Sequence, residues 1–451
     1  MKKYTPSYNN IPAWESYSAN MKTEFRQCIE EGLDVKKYEG LFNAISELQP
    51  SEYRERLADV LFDMINDTPI IEDYPYNEPN DLVEIKALRD SFKLDSYDVN
   101  KDTLEDKIKG AWFGRVAGCL LGKPVEGMKY DKLTPLLKMT NNYPMHRYIL
   151  NSDLTDDVCN AIGEWIKNGC YIDVLDGMPV DDDTNYVVMA QLLVDSYGRN
   201  FTPKNVSSMW IWLQSKNAYC TAERVAFRNF VMGYDPPDSA SYKNPYREWI
   251  GAQIRGDYFG YINPGNPQEA ADMAYRDASI SHVKNGIYGE MFASAMIAAA
   301  AVCNDIKSVI LAGLAQIPKT SRLYDSVNKI IEMHSNGANY DDCISYIHSI
   351  RNDKNEHDWC HTISNAMIVA AALLCGDGDF GKSVCMAVQA AFDTDCNGAT
   401  VGSVIGMMNG FEAIDPVWTA PLKDTLHTSI FGVDTVSISE CAHKTMNHIK
   451  E

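Results

Sequence analysis

No apolar run in this chain is long enough to cross a bilayer. The two longest, "MFASAMIAAAAVC" (291–303) and "AMIVAAALLCG" (366–376), stop short of the roughly 20 residues that a spanning helix needs. Runs of Lys and Arg are also missing, and the formal net charge is −21. That balance excludes nucleic acid or an anionic membrane as the main partner. An anionic substrate would have to be held locally, by a metal, a helix N-terminus or a few arginines. The opening "MKKYTPSYNNIPAWESYS" lacks the apolar stretch of a secretory leader, so a cytoplasmic location is expected. The 12 cysteines include no C-x-x-C pair. Several, such as Cys303, Cys375 and Cys385, fall in helical apolar patterns, which fits buried free thiols better than disulfides or zinc. Alternating Val/Ile/Thr runs bounded by turn residues are scarce too, which leaves little room for a sheet.

Helical periods are what remains. They run through 50–66, 184–198, 321–335, 340–352 and 362–376, so the chain reads as all-α. On 50–66, Leu57, Val60, Leu61 and Met64 share one side. The first hundred residues are more polar, and 67–82 carries three prolines without a period. A boundary near residue 100 is expected, with 1–102 as a helical extension to which no chemistry is assigned and 103–451 as the main domain. Thr103, with Asp106 three residues on, resembles a capped helix start. The helix that follows carries glycines at 110, 114, 118 and 122, and a second segment carries them at 398, 402, 406 and 410. An interior glycine costs a helix about 1 kcal/mol relative to alanine. Four-residue spacing puts each row on one side of its helix, where a second backbone can approach closely. Membrane helices use similar spacing, but Arg115 inside the first helix and the short apolar lengths argue against that. Two tightly packed central helices, in mutual contact, are the better reading.

Acids gather at two helix starts. Asp181, Asp182 and Asp183 precede Thr184 and an apolar helical pattern, and Asp393 and Asp395 open the second glycine segment. One Asp suffices as an N-cap; three adjacent like charges repel, so capping accounts for one and leaves two. Thr155-Asp156-Asp157 is a competing start, and it fits an ordinary capped helix. The third acid and Thr184, whose hydroxyl offers another hard ligand, favour 181–184. Five convergent carboxylates suit a hard cation with oxygen ligands, Mg²⁺ with Mn²⁺ or Ca²⁺ as alternatives. One divalent ion leaves a large excess of negative charge and two nearly neutralise it, which favours a two-metal centre.

Three separated motifs make the chain resemble the ADP-ribosylglycohydrolase family. "GAWFGRVAGCLLGKPVEG" (110–127) is similar to its glycine-rich helix ending in P-V-E, "DDDTNYVVMA" (181–190) to its T-D-D-T helix start, and "FDTDCNGATVGSVIG" (392–406) to its G-x-D-T-D-T-N segment. The resemblance spans roughly 105–410. It implies an all-α fold, a site for two Mg²⁺ ions and hydrolysis of a glycosidic bond to an ADP-ribosyl group. Position by position, it makes Asp182, Asp183, Asp393 and Asp395 metal ligands and Glu126 the acid that closes over metals or substrate. Asp181 stands where the family has a threonine ligand, Cys396 where it has a threonine, and Cys119 where G-D-A-L-G has its Asp. We take Asp181 as a ligand as well. Glu126, Asp183 and Asp395 are then the expected catalytic carboxylates. His282, Asn285, Gly286 and Gly289 fall in a segment that relatives place near substrate, and Asn397 lies in the last motif. Arg255, between glycines, suits a diphosphate clamp or a salt bridge. His361 and Asn365 share a helix face and read as a polar network beside the core. The expected partner is an ADP-ribosylated protein or small molecule, with the chain a monomer or small homo-oligomer. Two other functions are open: a metal-dependent ADP-ribose or nucleotide binder without turnover, of crystallin-like kind, and a hydrolase of another ribosyl or glycosyl compound.

Overall fold

The computed structural model describes residues 4–450. Among them are 23 α-helices and one two-stranded sheet, so the fold is all-α. Two buried antiparallel helices, Lys101–Gly122 and Thr394–Asn409, run through the centre. Neither has a polar face, because other helices pack around both. Asn285–Ala300, Thr362–Cys375 and Phe380–Gln389 lie against the second, and Ile438–Met446 lies against the first.

The glycine rows face each other. Gly110 opposes Gly406, Gly114 opposes Gly402, and Gly118 opposes Gly398; a Cβ on any of the six would strike the opposite carbonyl. Gly122 in turn lies against the Thr394 backbone, and the Thr394 hydroxyl donates to the Gly122 carbonyl at 2.9 Å. Gly410 does a different job from the rest of its row. It ends the helix with φ +87°, a left-handed stop that glycine adopts without strain. The two helices therefore cross at backbone contact, and their ends meet at the 122–126 and 393–396 segments.

Three local readings are corrected. The first central helix is capped by Asn100, whose side chain accepts from Thr103 N–H at 2.9 Å, and Asp106 instead accepts from Glu412 N–H at 3.2 Å. On Glu52–Asn66 the buried stripe is Ala58, Leu61 and Ile65, while Val60 is 58% exposed. Thr425–Ile430 and Val433–Ser437 form an antiparallel hairpin, turned at Gly432 with φ +79°. Leu426, Thr428 and Ile430 face inward and Thr425, His427 and Ser429 outward, an alternation too short to read as a strand from the sequence.

Residues before 100 build a small core of their own, in which Met21, Phe42, Ala58, Leu61 and Ile65 pack together apart from the main cluster. The helix Met21–Glu30 and the residue after it join this unit to the rest through buried charges. Arg247 binds Glu24 at 2.9 Å and Glu31 at 2.6 Å, and Arg351 binds Glu30 at 3.0 Å. From the connector, Glu78 binds Arg322 at 2.8 Å.

Candidate metal centre

Both acid-rich segments are helix starts, and the structure brings them together beside the end of the first central helix. Asp181 is the N-cap of the helix Asp182–Tyr197; its carboxylate accepts from Asp183 N–H at 2.8 Å. The Thr184 hydroxyl turns back to the Asp181 carbonyl at 3.2 Å. Asp393 is the N-cap residue of the second central helix and Asp395 lies in its first turn. Two groups of ligand atoms result, each with all its atoms within 4.8 Å of one another. One is Cys119, Asp181, Asp183 and Asp395; the other is Asp393, Asp395 and Cys396. Asp395 belongs to both. The competing acids Asp156 and Asp157 are exposed, on a helix capped by Thr155, and have no such company.

Burial and mutual repulsion dominate the electrostatics. Burial, together with Asp181 and Asp395, pushes Asp182 up to about 7. Asp393 rises well above the usual carboxylate range through burial, Asp395 and Glu126. Asp395 rises through burial and the charge of Asp181, against the pull of Lys123. Asp183 rises well above its range through burial, although Arg115 opposes it. Glu126, on an exposed turn, is raised chiefly by the charge of Asp395.

Two cations compensate part of this charge. Arg115 binds Asp183 at 3.0 Å and Asp257 at 2.6 Å, and Lys123 pairs with Asp181. Arg115, Cys119 and Lys123 are spaced four apart, so the first central helix presents them to the acids along one face. Among the described residues, no Lys or Arg forms an ion pair with Asp182, Asp393, Asp395 or Glu126. The Oδ2 of Asp183, wholly buried, has no hydrogen-bond partner. A buried carboxylate oxygen left without a partner is costly. Uncompensated acids with a free ligand atom are a donor set that fits divalent cations.

The backbone entering the site is strained. Ala391 and Phe392, immediately before Asp393, both have positive φ, +63° and +59°. These are left-handed positions that favour glycine. The chain is pinned there from both sides: Trp359 Nε1–H donates to the Phe392 carbonyl at 2.7 Å, and Asp393 N–H donates to Asn365 Oδ1 at 3.2 Å. Asn365 Oδ1 also accepts from Asn397 at 2.8 Å, which leaves the Asn397 Oδ1 buried and without a partner. The polar network read from His361 and Asn365 thus reaches the second acid segment.

The other residues singled out in the sequence sit in neighbouring polar networks. Arg255 is fully buried and binds Glu223 at 3.0 Å, Asp277 and the Ser281 hydroxyl, so the salt-bridge reading describes its contacts. His282 accepts or donates at Nδ1 with Ser281 at 2.8 Å, while its Nε2 is buried without a partner; burial and Arg255 hold its pKa well below the usual histidine range. Asn285 donates to Glu78 and Glu248, both at 2.8 Å. Gly286 and Gly289 allow close contact with the Arg247 carbonyl and with Thr362. Residues not singled out as site members but now beside the acids are Arg115, Lys123 and the two thiols. The four-residue spacing of Arg115, Cys119 and Lys123 was the available signal on the first central helix, and the motif position of Cys396 on the second.

A third group, Glu30, His357 and His361, also has ligand spacing. Trp249 Nε1–H donates to His357 Nδ1 at 3.3 Å, and Ile363 N–H donates to His361 Nδ1 at 3.2 Å. The protons therefore sit on the Nε2 atoms, which face Glu30 at 3.5 and 3.6 Å. Neither Nε2 forms a hydrogen bond, and Arg351 pairs with the same carboxylate at 3.0 Å.

No curated protein matches the chain. A solved structure described as an ADP-ribosylglycohydrolase-related protein complex aligns with it at a TM-score of 0.49 and 15% identity, covering 77% of this chain and 98% of that one. The sequence model of the ADP-ribosylglycohydrolase family matches residues 100–445, well over half the length, and the chain belongs to that family.

Proposed function

We propose that the protein is a divalent-metal-dependent hydrolase of the glycosidic bond of an ADP-ribosyl group. Family membership supports a glycohydrolase. The observation that carries the metal dependence is the Asp181/Asp183/Asp393/Asp395 cluster with its unpartnered Asp183 oxygen. Asp182, Asp393 and Asp395 remain without a cation, which divalent ions would supply, two if each ligand group holds one; Mg²⁺ is the ion family membership suggests. Residues 1–102 are then an extension docked on the catalytic body.

A bound divalent ion supplies Lewis acidity and a hold on substrate hydroxyls. The chain does the rest. Arg115 holds the Asp183 carboxyl in place and opposes the rise that burial causes, and Lys123 pairs with Asp181. Asp395, shared between the two groups, is placed to orient a water and accept its proton as the water oxygen bonds to C1″. Glu126, whose protonated form the charge of Asp395 favours, stands on an exposed turn where it can give its proton to the leaving atom as the glycosidic bond breaks.

Incubation with a panel of ADP-ribosyl conjugates, with Mg²⁺, Mn²⁺ or EDTA, tests this. Turnover of at least one conjugate, stopped by EDTA, is expected. Asp182→Asn and Asp393→Asn should abolish it with the fold intact, and Asp156→Asn and Asp157→Asn should leave it. Full activity in Asp393→Asn, or its loss in Asp157→Asn, would mean that the wrong acids have been assigned.

A further inference from the structure

The two ligand groups share Asp395, and each contains one cysteine. Cys119 sits with Asp181, Asp183 and Asp395, and Cys396 with Asp393 and Asp395. Both thiols are buried and neither forms a disulfide. Metal–oxygen bonds are about 2.0–2.2 Å and zinc–sulfur bonds about 2.3 Å, so ligand atoms within 4.8 Å of one another need to close by no more than a few tenths of an ångström to hold one ion between them. Asp183, a member of the first group, also has its buried Oδ2 without a hydrogen-bond partner, an independent sign that a cation belongs there. Mg²⁺ demands oxygen ligands in near-ideal octahedral geometry, whereas sulfur suits zinc and iron.

We infer that Cys119 and Cys396 are metal ligands, one in each of the two groups that share Asp395, and that the centre therefore prefers a borderline divalent ion such as Zn²⁺ or Fe²⁺ to Mg²⁺. The inference rests on the metal-centre reading above and changes its ion. Each thiol releases its proton to solvent as the sulfur–metal bond forms, and no oxidation state changes. Cys220 and Cys360 lie in neither group and contribute no sulfur. Lys123 gives up Asp181 to the ion; its side chain, 18% exposed, can turn to solvent.

The test uses the full chain, reduced, stripped of metal and titrated with Co²⁺. A thiolate-to-cobalt charge-transfer band should rise in the near ultraviolet and saturate. It should weaken in Cys119→Ser and in Cys396→Ser and vanish in the double variant. That double variant should still bind Co²⁺ through its carboxylates, with affinity lower by roughly tenfold or more. Stoichiometric Co²⁺ without the band overturns thiol ligation and leaves the carboxylate centre standing. Failure of the wild type to retain Co²⁺ overturns both. A band that persists in the double variant belongs to another cysteine and also overturns the inference. X-ray absorption of the Zn²⁺-loaded wild type needs no variant to fold: a sulfur shell at about 2.3 Å is expected, and a shell of oxygen and nitrogen alone refutes it.

Discussion

Ala391 and Phe392 show what the acid site demands of single residues. A left-handed conformation costs a non-glycine residue about 1–2 kcal/mol. Replacing Ala391 by glycine removes that cost. It also loses a buried methyl, worth about 0.8 kcal/mol, and gives the unfolded chain about 0.4–1 kcal/mol of extra entropy. The terms cancel, so Ala391→Gly should be close to neutral. Ala370, equally buried but inside the helix Thr362–Cys375, has no strain to release; Ala370→Gly should cost about 2 kcal/mol from propensity and the lost methyl. Denaturant unfolding of the pair decides it, and equal losses would mean that the turn stores no strain. Glu223 makes a second case. Burial pushes it up to about 7, against the opposing charge of Arg255. Between the unfolded value near 4.3 and about 7 the folded state holds the extra proton, so stability falls as pH rises through that window and levels off above it. In Glu223→Gln the slope of stability against pH should be shallower there by one proton, as read from unfolding curves at stepped pH. An unchanged slope would mean that Glu223 is ionised throughout.

At the scale of elements, the two central helices turn on glycine. A Cβ at Gly114 would meet the Gly402 carbonyl, a backbone atom that cannot swing aside as a side chain can. Overpacking of this kind costs about 1–3 kcal/mol, against at most about 1 kcal/mol of improved helix propensity. Gly114→Ala should therefore destabilise by about 1–2 kcal/mol, and Gly402→Leu by more. Gly40, in the helix Glu39–Glu47, has open space around it, so Gly40→Ala should be neutral or slightly stabilising. Equal melting temperatures for Gly114→Ala and Gly40→Ala would refute backbone contact. This pairing was legible in the sequence because spacing alone puts each glycine row on one side. The acid segments were legible because more carboxylates stood at two helix starts than capping can use. Two other features left no comparable trace. The hairpin at 425–437 turns only Leu426, Thr428 and Ile430 inward from its first strand, an alternation too short to stand out as a period. The partners of Arg247 lie more than 200 positions away, and a buried ion pair between distant residues leaves no period or motif. Asn285, Gly286 and Gly289, singled out for substrate, meet Glu78, Arg247 and Thr362 for the same reason.

At the scale of the whole molecule, the first hundred residues complete a charge balance that the rest of the chain cannot supply. Arg247 is buried, and its ion-pair partners are Glu24 and Glu31. Arg322 and Arg351 would keep Glu248 and Asp358 without those residues; Arg247 would keep neither of its acids. A buried pair is weak evidence of net stability, but removing one partner costs about 3–5 kcal/mol. Deleting residues 1–99 should therefore leave the remainder unfolded or aggregated, and the same segment supplied as a separate chain should rescue solubility. Acid offers a gentler probe. Burial opposes the charge on Glu31, but Arg247 and Lys284 hold it well below the usual range. Burial likewise opposes Glu30, which His357 and Arg351 hold low. For carboxyls lowered in the folded state, the stabilisation is present above the unfolded value near 4.3 and is lost as pH falls towards the folded values. The buried acids of the metal centre are raised, so acid relieves their repulsion. As pH drops below about 4, the docked segment should loosen while the central helices hold, the gain from their raised acids being complete by then. Limited digestion with an acid-active protease should then cut within residues 1–99 first and spare the Lys101–Gly122 helix, and Glu31→Gln should bring that cutting to higher pH. Simultaneous loss of both parts would mean that the docking charges do not control the segment.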